Sequence, residues 1–217
     1  MYFFQIFFGL ILLSFGKYYF KDVTAISVQS RLARFILESV MFFKIDTKSI
    51  ESMPSKIVLI TSHTSFYDGI ISLLLLYGYL YRKYQVNILV KREFVKYFKF
   101  FNNRYLNTIS VDRNKKYNIV DNICEQMKDK DNYIIALAPE GTRSYTTKVR
   151  TGFWFISEKL NTPFSFVGID FKYKFITFTD PRSVKDLDED IEWFKNQCNC
   201  YIPLYPDRCA FHKNNSI

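Results

Sequence analysis

Short apolar runs alternate with helix-spaced segments along most of this chain. The runs IVLIT (57–61), VNILV (86–90), NTISV (107–111), YIIALA (133–138), FSFVGID (164–170) and KFITF (174–178) have strand length and little in–out polar alternation, as expected of strands buried on both faces. Between them, helices are expected near 66–81, 117–129, 152–160 and 187–196. Strand, helix, strand in succession predicts a single α/β domain with a mainly parallel or mixed sheet flanked by helices. No internal repeat or low-complexity tract interrupts it.

The pattern changes before residue 56. Residues 1–16, MYFFQIFFGLILLSFG, carry no charge. As a helix they would reach roughly 24 Å, short of the roughly 30 Å hydrocarbon core of a bilayer. They read as a retained signal-anchor, re-entrant or interfacial helix, with Tyr18, Tyr19 and Phe20 at headgroup level beside Lys17 and Lys21. A second helix, about 27–43, either packs on the domain or pairs with the first. The expected organisation is a membrane-associating helical segment at 1–50 and the α/β domain at 51–217.

Composition sharpens the choice of partner. Of 217 residues 48% are hydrophobic, and only 7 are Gly and 6 Pro, so collagen-like and disordered readings fail. The aromatic share of 19% exceeds what one small core needs and points to a membrane lipid partner. The net charge of +9 favours anions. It is concentrated: from Arg82 to Lys116 ten basic residues face only Glu93 and Asp112. An acidic cluster, Asp186, Asp188, Glu189, Asp190 and Glu192, lies late in the chain. No RNP, zinc-finger or helix-turn-helix pattern accompanies the basic residues, which argues against nucleic acid. The four cysteines, Cys124, Cys198, Cys200 and Cys209, form no dense disulfide framework, as in a reducing compartment. Three of them with His212 give C-x-C-x8-C-x2-H, but the first spacing is tighter than zinc motifs use, so free thiols and no metal are expected.

Candidate chemistry sits where strands end and helices begin. In IVLITSHTSFYDG a strand runs into His63, and Asp68 follows in the first turn of a helix that Ser65 would cap. A carboxylate on one imidazole nitrogen would fix the tautomer and stabilise the imidazolium of a general base; the plainer alternative is that Asp68 only caps. In YIIALAPEGTRS a second strand runs into Glu140, Gly141, Thr142, Arg143 and Ser144. Glycine there lets backbone approach an anion closely, and arginine can grip a phosphate through two bonds.

Together, H-x4-D and P-E-G-T-R-S resemble the glycerolipid acyltransferase family, whose best-known members act on 1-acylglycerol-3-phosphate. Lys91-Arg92-Glu93-Phe94 is similar to its K-x-E block, Ile109 to Arg113 to its second motif, and Arg150-Thr151-Gly152-Phe153 and Pro163 to Asp170 to later stretches. The resemblance covers roughly 56–194. The residue before the motif histidine, asparagine in most relatives, is Ser62, and the Pro and Gly residues usual after K-x-E are absent. The resemblance implies transfer of a fatty acyl group from acyl-CoA or acyl carrier protein to the hydroxyl of a lysophospholipid, without a cofactor. It casts His63 and Asp68 as catalytic, and Lys91, Arg113, Glu140, Gly141, Thr142 and Arg143 as substrate-binding. It implies a membrane-associated enzyme whose site faces a reducing, cytosolic compartment.

Overall fold

The computed structural model describes residues 23–81, 83–92, 106–111 and 119–212. The uncharged N-terminal segment, most of the basic stretch and Arg113 lie outside the described residues. Seven strands form one sheet: β1 (Lys44–Ile45), β2 (Lys56–Ile60), β3 (Gln85–Lys91), β4 (Leu106–Val111), β5 (Tyr133–Leu137), β6 (Phe164–Asp170) and β7 (Phe175–Phe178). Their order is β1-β7-β6-β2-β5-β3-β4. All neighbours pair parallel except β6 with β7. The six apolar runs are thus strands. The two-residue β1 and a short helix α2 (Thr47–Glu51) are additions, too brief for any periodicity to announce.

Because side chains alternate along a strand, each central strand feeds two cores. Ile57 and Leu59 of β2 join one, and Val58 and Ile60 the other. The first face is covered by α1 (Val23–Phe35), a π-helical turn at Ile36–Val40, and α3 (Phe66–Leu75) continuing into a π-helical turn at Leu76–Leu80. The second is covered by α4 (Ile119–Met127), α5 (Gly152–Lys159) and α6 (Leu187–Asn199). β2 is followed by α3 and β5 by α5, so these neighbouring strands send their connections to opposite faces. Loops parting in this way leave a crevice at the carboxyl ends of the strands, where α/β folds bind their ligands.

The helix expected at 27–43 packs on the domain. Its Ser30 and Arg34 side chains both donate to the carbonyl of Gly78, at 2.9 and 2.6 Å. A Cβ at Gly78 would lie 3.2 Å from Arg34 Cγ, so the small residue permits this approach. Among the described residues no helix is long and apolar enough to cross a membrane.

The acidic cluster turns out to be structural in part. Asp186 caps α6 by accepting from the backbone of Asp188 and Glu189. Asp190 is fully buried and accepts from Trp154 Nε1 at 3.0 Å, Arg182 Nε at 2.7 Å and the Lys185 backbone at 2.9 Å. It ties α5 and α6 to the chain entering α6. Removing one member of a buried, hydrogen-bonded ion pair leaves the others without a partner. Asp190→Ala is therefore expected to lower unfolding free energy by about 3 kcal/mol, read as an earlier denaturation midpoint in urea, whereas Glu192→Ala on the same helix should leave it nearly unchanged.

Candidate active site

The pairing of β2 with β5 sets Ile60 opposite Leu137. Both strands therefore release their loops at one level of the sheet edge, and His63 and Glu140 are brought together although 77 residues apart. Lys91 ends β3, on the other side of β5, at the same edge. The segment containing Asp112 and Arg113 would follow β4 but lies outside the described residues.

Helix α3 begins with a reciprocal cap. Ser65, extended at φ −143° and ψ 164°, accepts from the Asp68 backbone, and the Asp68 side chain returns to the Ser65 backbone. Asp68 does more than cap. Its Oδ2 accepts from the backbones of Thr64 and Ser65, both at 2.7 Å, and lies 3.5 Å from His63 Nδ1. Its Oδ1 accepts from Ser65 Oγ at 2.9 Å. The carboxylate is buried and held by the start of the helix, where the aligned peptide dipoles favour negative charge. His63 precedes the helix and is partly exposed, with 28% of its side chain accessible. The capping and orienting readings of Asp68 coexist in one carboxylate. At 3.5 Å the approach to imidazole is longer than a strong hydrogen bond, and it leaves Nε2 as the nitrogen not engaged by Asp68.

The second loop carries the anion-binding candidates. Gly141 has φ 62°, a left-handed conformation that favours glycine. Its N–H donates to Ala138 O at 3.0 Å, and Arg150 N–H donates to Pro139 O at 2.8 Å, closing the loop at its base. Thr142 Oγ1 accepts from the Ser144 backbone, so this hydroxyl shapes the turn. Arg143 is exposed, with its guanidinium carbon 6.0 Å from the ring centre of Phe66, the first residue of α3.

Glu140 binds the two loops to each other. Its Oε1 accepts from Ser62 Oγ at 2.7 Å and from the His63 backbone at 3.3 Å. Its Oε2 is buried without a partner. Burial, only partly offset by the Ser62 bond, pushes its pKa up to about 7.

A third element was not read from the sequence. The chain leaving α6 runs back along the end of β6: Phe171 N–H donates to Ile202 O, and Ile202 N–H to Asp170 Oδ2. Tyr201 stacks on Phe166 with ring centres 5.7 Å apart. Any Cβ at Gly168 would come within 2.1 Å of the Tyr201 ring. Cys209 thereby arrives 3.8 Å from Ser62 Oγ. Cys200 is exposed and donates to Asn196 O, away from Cys209. Among the described residues no three His, Cys, Asp or Glu side chains converge as a metal site.

The acyltransferase family model matches residues 44–169, more than half of the chain. The chain belongs to the acyltransferase family. The match spans β1 through nearly all of β6 and so includes His63, Asp68, Lys91 and the loop 140–143. Comparison with curated proteins and with solved structures finds no match. This acyltransferase therefore carries the family's domain from residue 44 onward, with α1 before it and α6 and the Cys209 segment after it.

Glu140 gives the site a pH signature. Its unfolded carboxyl titrates near 4.5 and its folded one near 7. Between these values the unfolded chain releases a proton that the folded chain keeps, so stability falls as pH rises through that window and levels off above it. The full difference is roughly 3 kcal/mol. Melting temperatures of wild type and Glu140→Gln, measured from pH 4.5 to 8, should converge toward the acid end and diverge toward pH 7, with the variant the more stable. Parallel curves would mean that Glu140 keeps an ordinary pKa.

Proposed function

We propose that this acyltransferase moves a fatty acyl group from an acyl thioester, acyl-CoA or acyl carrier protein, to the free hydroxyl of a lysophospholipid, with 1-acylglycerol-3-phosphate as the first choice of acceptor. The observation that carries this reading is the joining of the His63–Asp68 pair to the 140–143 loop through Glu140. A base and an anion-binding loop on one sheet edge suit an acceptor whose hydroxyl and phosphate are separated by a glycerol backbone.

In this reading His63 Nε2 takes the proton of the acceptor hydroxyl as its oxygen attacks the thioester carbonyl. The imidazolium is stabilised by Asp68, whose charge the helix start holds in place. Collapse of the tetrahedral intermediate breaks the carbon–sulfur bond. The departing thiolate recovers the proton from His63, giving ester and free thiol. No acyl-enzyme and no cofactor is needed. Arg143 and Arg113 hold the acceptor phosphate, and Lys91, at the end of β3, adds positive charge at the same edge. Glu140, Gly141 and Thr142 shape the loop that presents Arg143.

A membrane-associated protein facing the cytosol fits the surface as well as the composition. Phe66 beside the site is 60% exposed, and Phe35 and Phe42 are 58% and 71% exposed. Such rings have a place at a lipid surface. The rival reading, an anionic-lipid binder without catalysis, has no use for His63 held against a buried carboxylate.

Purified protein in detergent, given labelled acyl-CoA and a panel of lysolipids, tests the assignment. His63→Ala should abolish transfer while the fold is retained. Asp68→Asn should lose most turnover as well as some stability, because it removes both the cap and the charge beside imidazole. Loss of stability with turnover intact would reduce Asp68 to a helix cap.

The phosphate contact has its own test. Arg143→Ala is expected to lower kcat/KM about tenfold to a hundredfold for lysophosphatidate, and lysine should restore only part, since it lacks the planar fork. Monoacylglycerol, which has no phosphate, should be a poor acceptor for wild type and nearly indifferent to the substitution. Equal losses for both acceptors would move Arg143 from phosphate binding to loop structure.

A further inference from the structure

The sheet carries a projecting tip at the edge where His63 emerges. Ile60, the end of β2, lies opposite Phe166, and β6 runs on to Asp170 before the chain turns into the antiparallel β7. At strand spacing, the step from Phe166 to Asp170 carries the turn at 171–174 roughly 13 Å past the end of β2. β1 starts beside that turn: Lys44 is opposite Phe175, and its N–H donates to Lys174 O at 2.8 Å. Residues 42–44 and 171–175 thus form one tip. Phe43 and Phe171 pack edge to face at its base, with Lys174 Nζ 4.8 Å and 5.8 Å from their ring centres. Outside that base, Phe42, Tyr173 and Phe175 are 71%, 69% and 40% exposed, and Lys44 and Lys172 are exposed beside them.

We propose that this tip docks on a bilayer containing anionic lipid, with its three rings at headgroup level and the edge that carries His63 turned to the membrane; that this membrane also holds the acceptor rests on the acyl-transfer reading. Charge complementarity favours this occupant. Segments 42–46 and 170–176 hold Lys44, Lys172 and Lys174, while their two acids are engaged internally. Asp170 is buried and accepts from the Tyr173 and Ile202 backbones, and Asp46 accepts from Ser49. Lysines alone would suit any anion. Bulky rings standing in water among them suit a partner with an apolar layer just behind its charges, which an anionic bilayer offers over its whole area.

The backbone points the same way. Among the described residues three that are not glycine have positive φ, and two of them are Phe42 at 61° and Lys174 at 55°. Phe42 follows the π-helical turn, which closes with Met41 N–H donating to Ile36 O and Phe43 N–H to Leu37 O. Helices commonly place glycine just past such an end, because a Cβ is unfavourable in the left-handed region. Phenylalanine there gains little packing, since its ring is mostly in water. A strained position whose side chain the fold itself does not use is expected where that side chain serves an outside partner.

The experiment places the full purified chain on vesicles of phosphatidylcholine alone and of phosphatidylcholine mixed with phosphatidylglycerol, oxidises accessible rings with hydroxyl radicals, and maps the products by mass spectrometry. Oxidation of Phe42, Tyr173 and Phe175 should be several-fold lower on the anionic vesicles, and raised salt should abolish the difference. Phe155, partly exposed on α5, should react equally on both. Equal oxidation of the three rings on the two vesicles would overturn the proposal, as would protection by soluble polyglutamate that the anionic vesicles do not reproduce. Phe42→Gly should leave Tyr173 and Phe175 several-fold more reactive on the anionic vesicles, while the chain melts no earlier than wild type. Lys172→Glu, at an exposed turn position, should change the footprint in the same direction. Protection unchanged in both variants would overturn the docking role. None of these readouts involves acyl transfer: a chain that acylates no lysolipid would sink the proposed activity, and the footprint would still decide the tip.

Discussion

The parallel pairing of β2 with β5 is the constraint from which the site follows. Ile60 opposite Leu137 puts two strand ends level, and the register is held because a one-residue slip would exchange the side chains of both faces. Ile57 and Leu59 would then face the core that suits Val58 and Ile60, and the reverse. Covering both faces therefore also fixes where His63 and Glu140 emerge. A buried carboxyl with one oxygen on Ser62 and His63 and the other without a partner is costly. It persists because the sheet, and not the loop, determines its place.

The start of α3 shows the same economy in reverse. A capping box contributes to helix stability in any protein. Here its carboxylate also faces the imidazole, so the interaction that nucleates the helix holds the charge beside the candidate base. The spacing makes sense on this account. Five positions apart on a continuous helix, His63 and Asp68 would point about 140° apart. With Ser65 extended at the cap, the chain before the helix turns His63 back over Asp68 instead.

Much of this was legible in the residues. Each of the six apolar runs is a strand, since burial on both faces leaves a period-free hydrophobic signal that survives without tertiary knowledge. The cap was legible because Ser65 and Asp68 are local in sequence. Pairings across the sheet were not. Nothing in the spacing of Ser62 and Glu140, 78 positions apart, marks them as partners, and Glu140 reads as a loop residue until burial is known. The structural part of the acidic cluster was hidden for a related reason. Charge counts do not distinguish Asp190, enclosed by Trp154 and Arg182, from Glu192 on the surface.

The boundary of the family match cuts across the physical unit. Residues after 169 lie outside it, yet the chain beyond α6 is clamped to β6 by Tyr201 over Gly168 and by the Ile202 bonds to Phe171 and Asp170. That clamp brings Cys209 to Ser62, the position where relatives of the resembled family carry asparagine. Ser62 and the C-terminal segment are neighbours in space, and steric reasoning connects them. An asparagine side chain at 62 is longer than serine and would press toward the sulfur that now sits 3.8 Å from the hydroxyl. Serine leaves room for the C-terminal segment to close the back of the site. The contact between residue 62 and the segment beyond the matched residues therefore closes the back of the loop that carries His63.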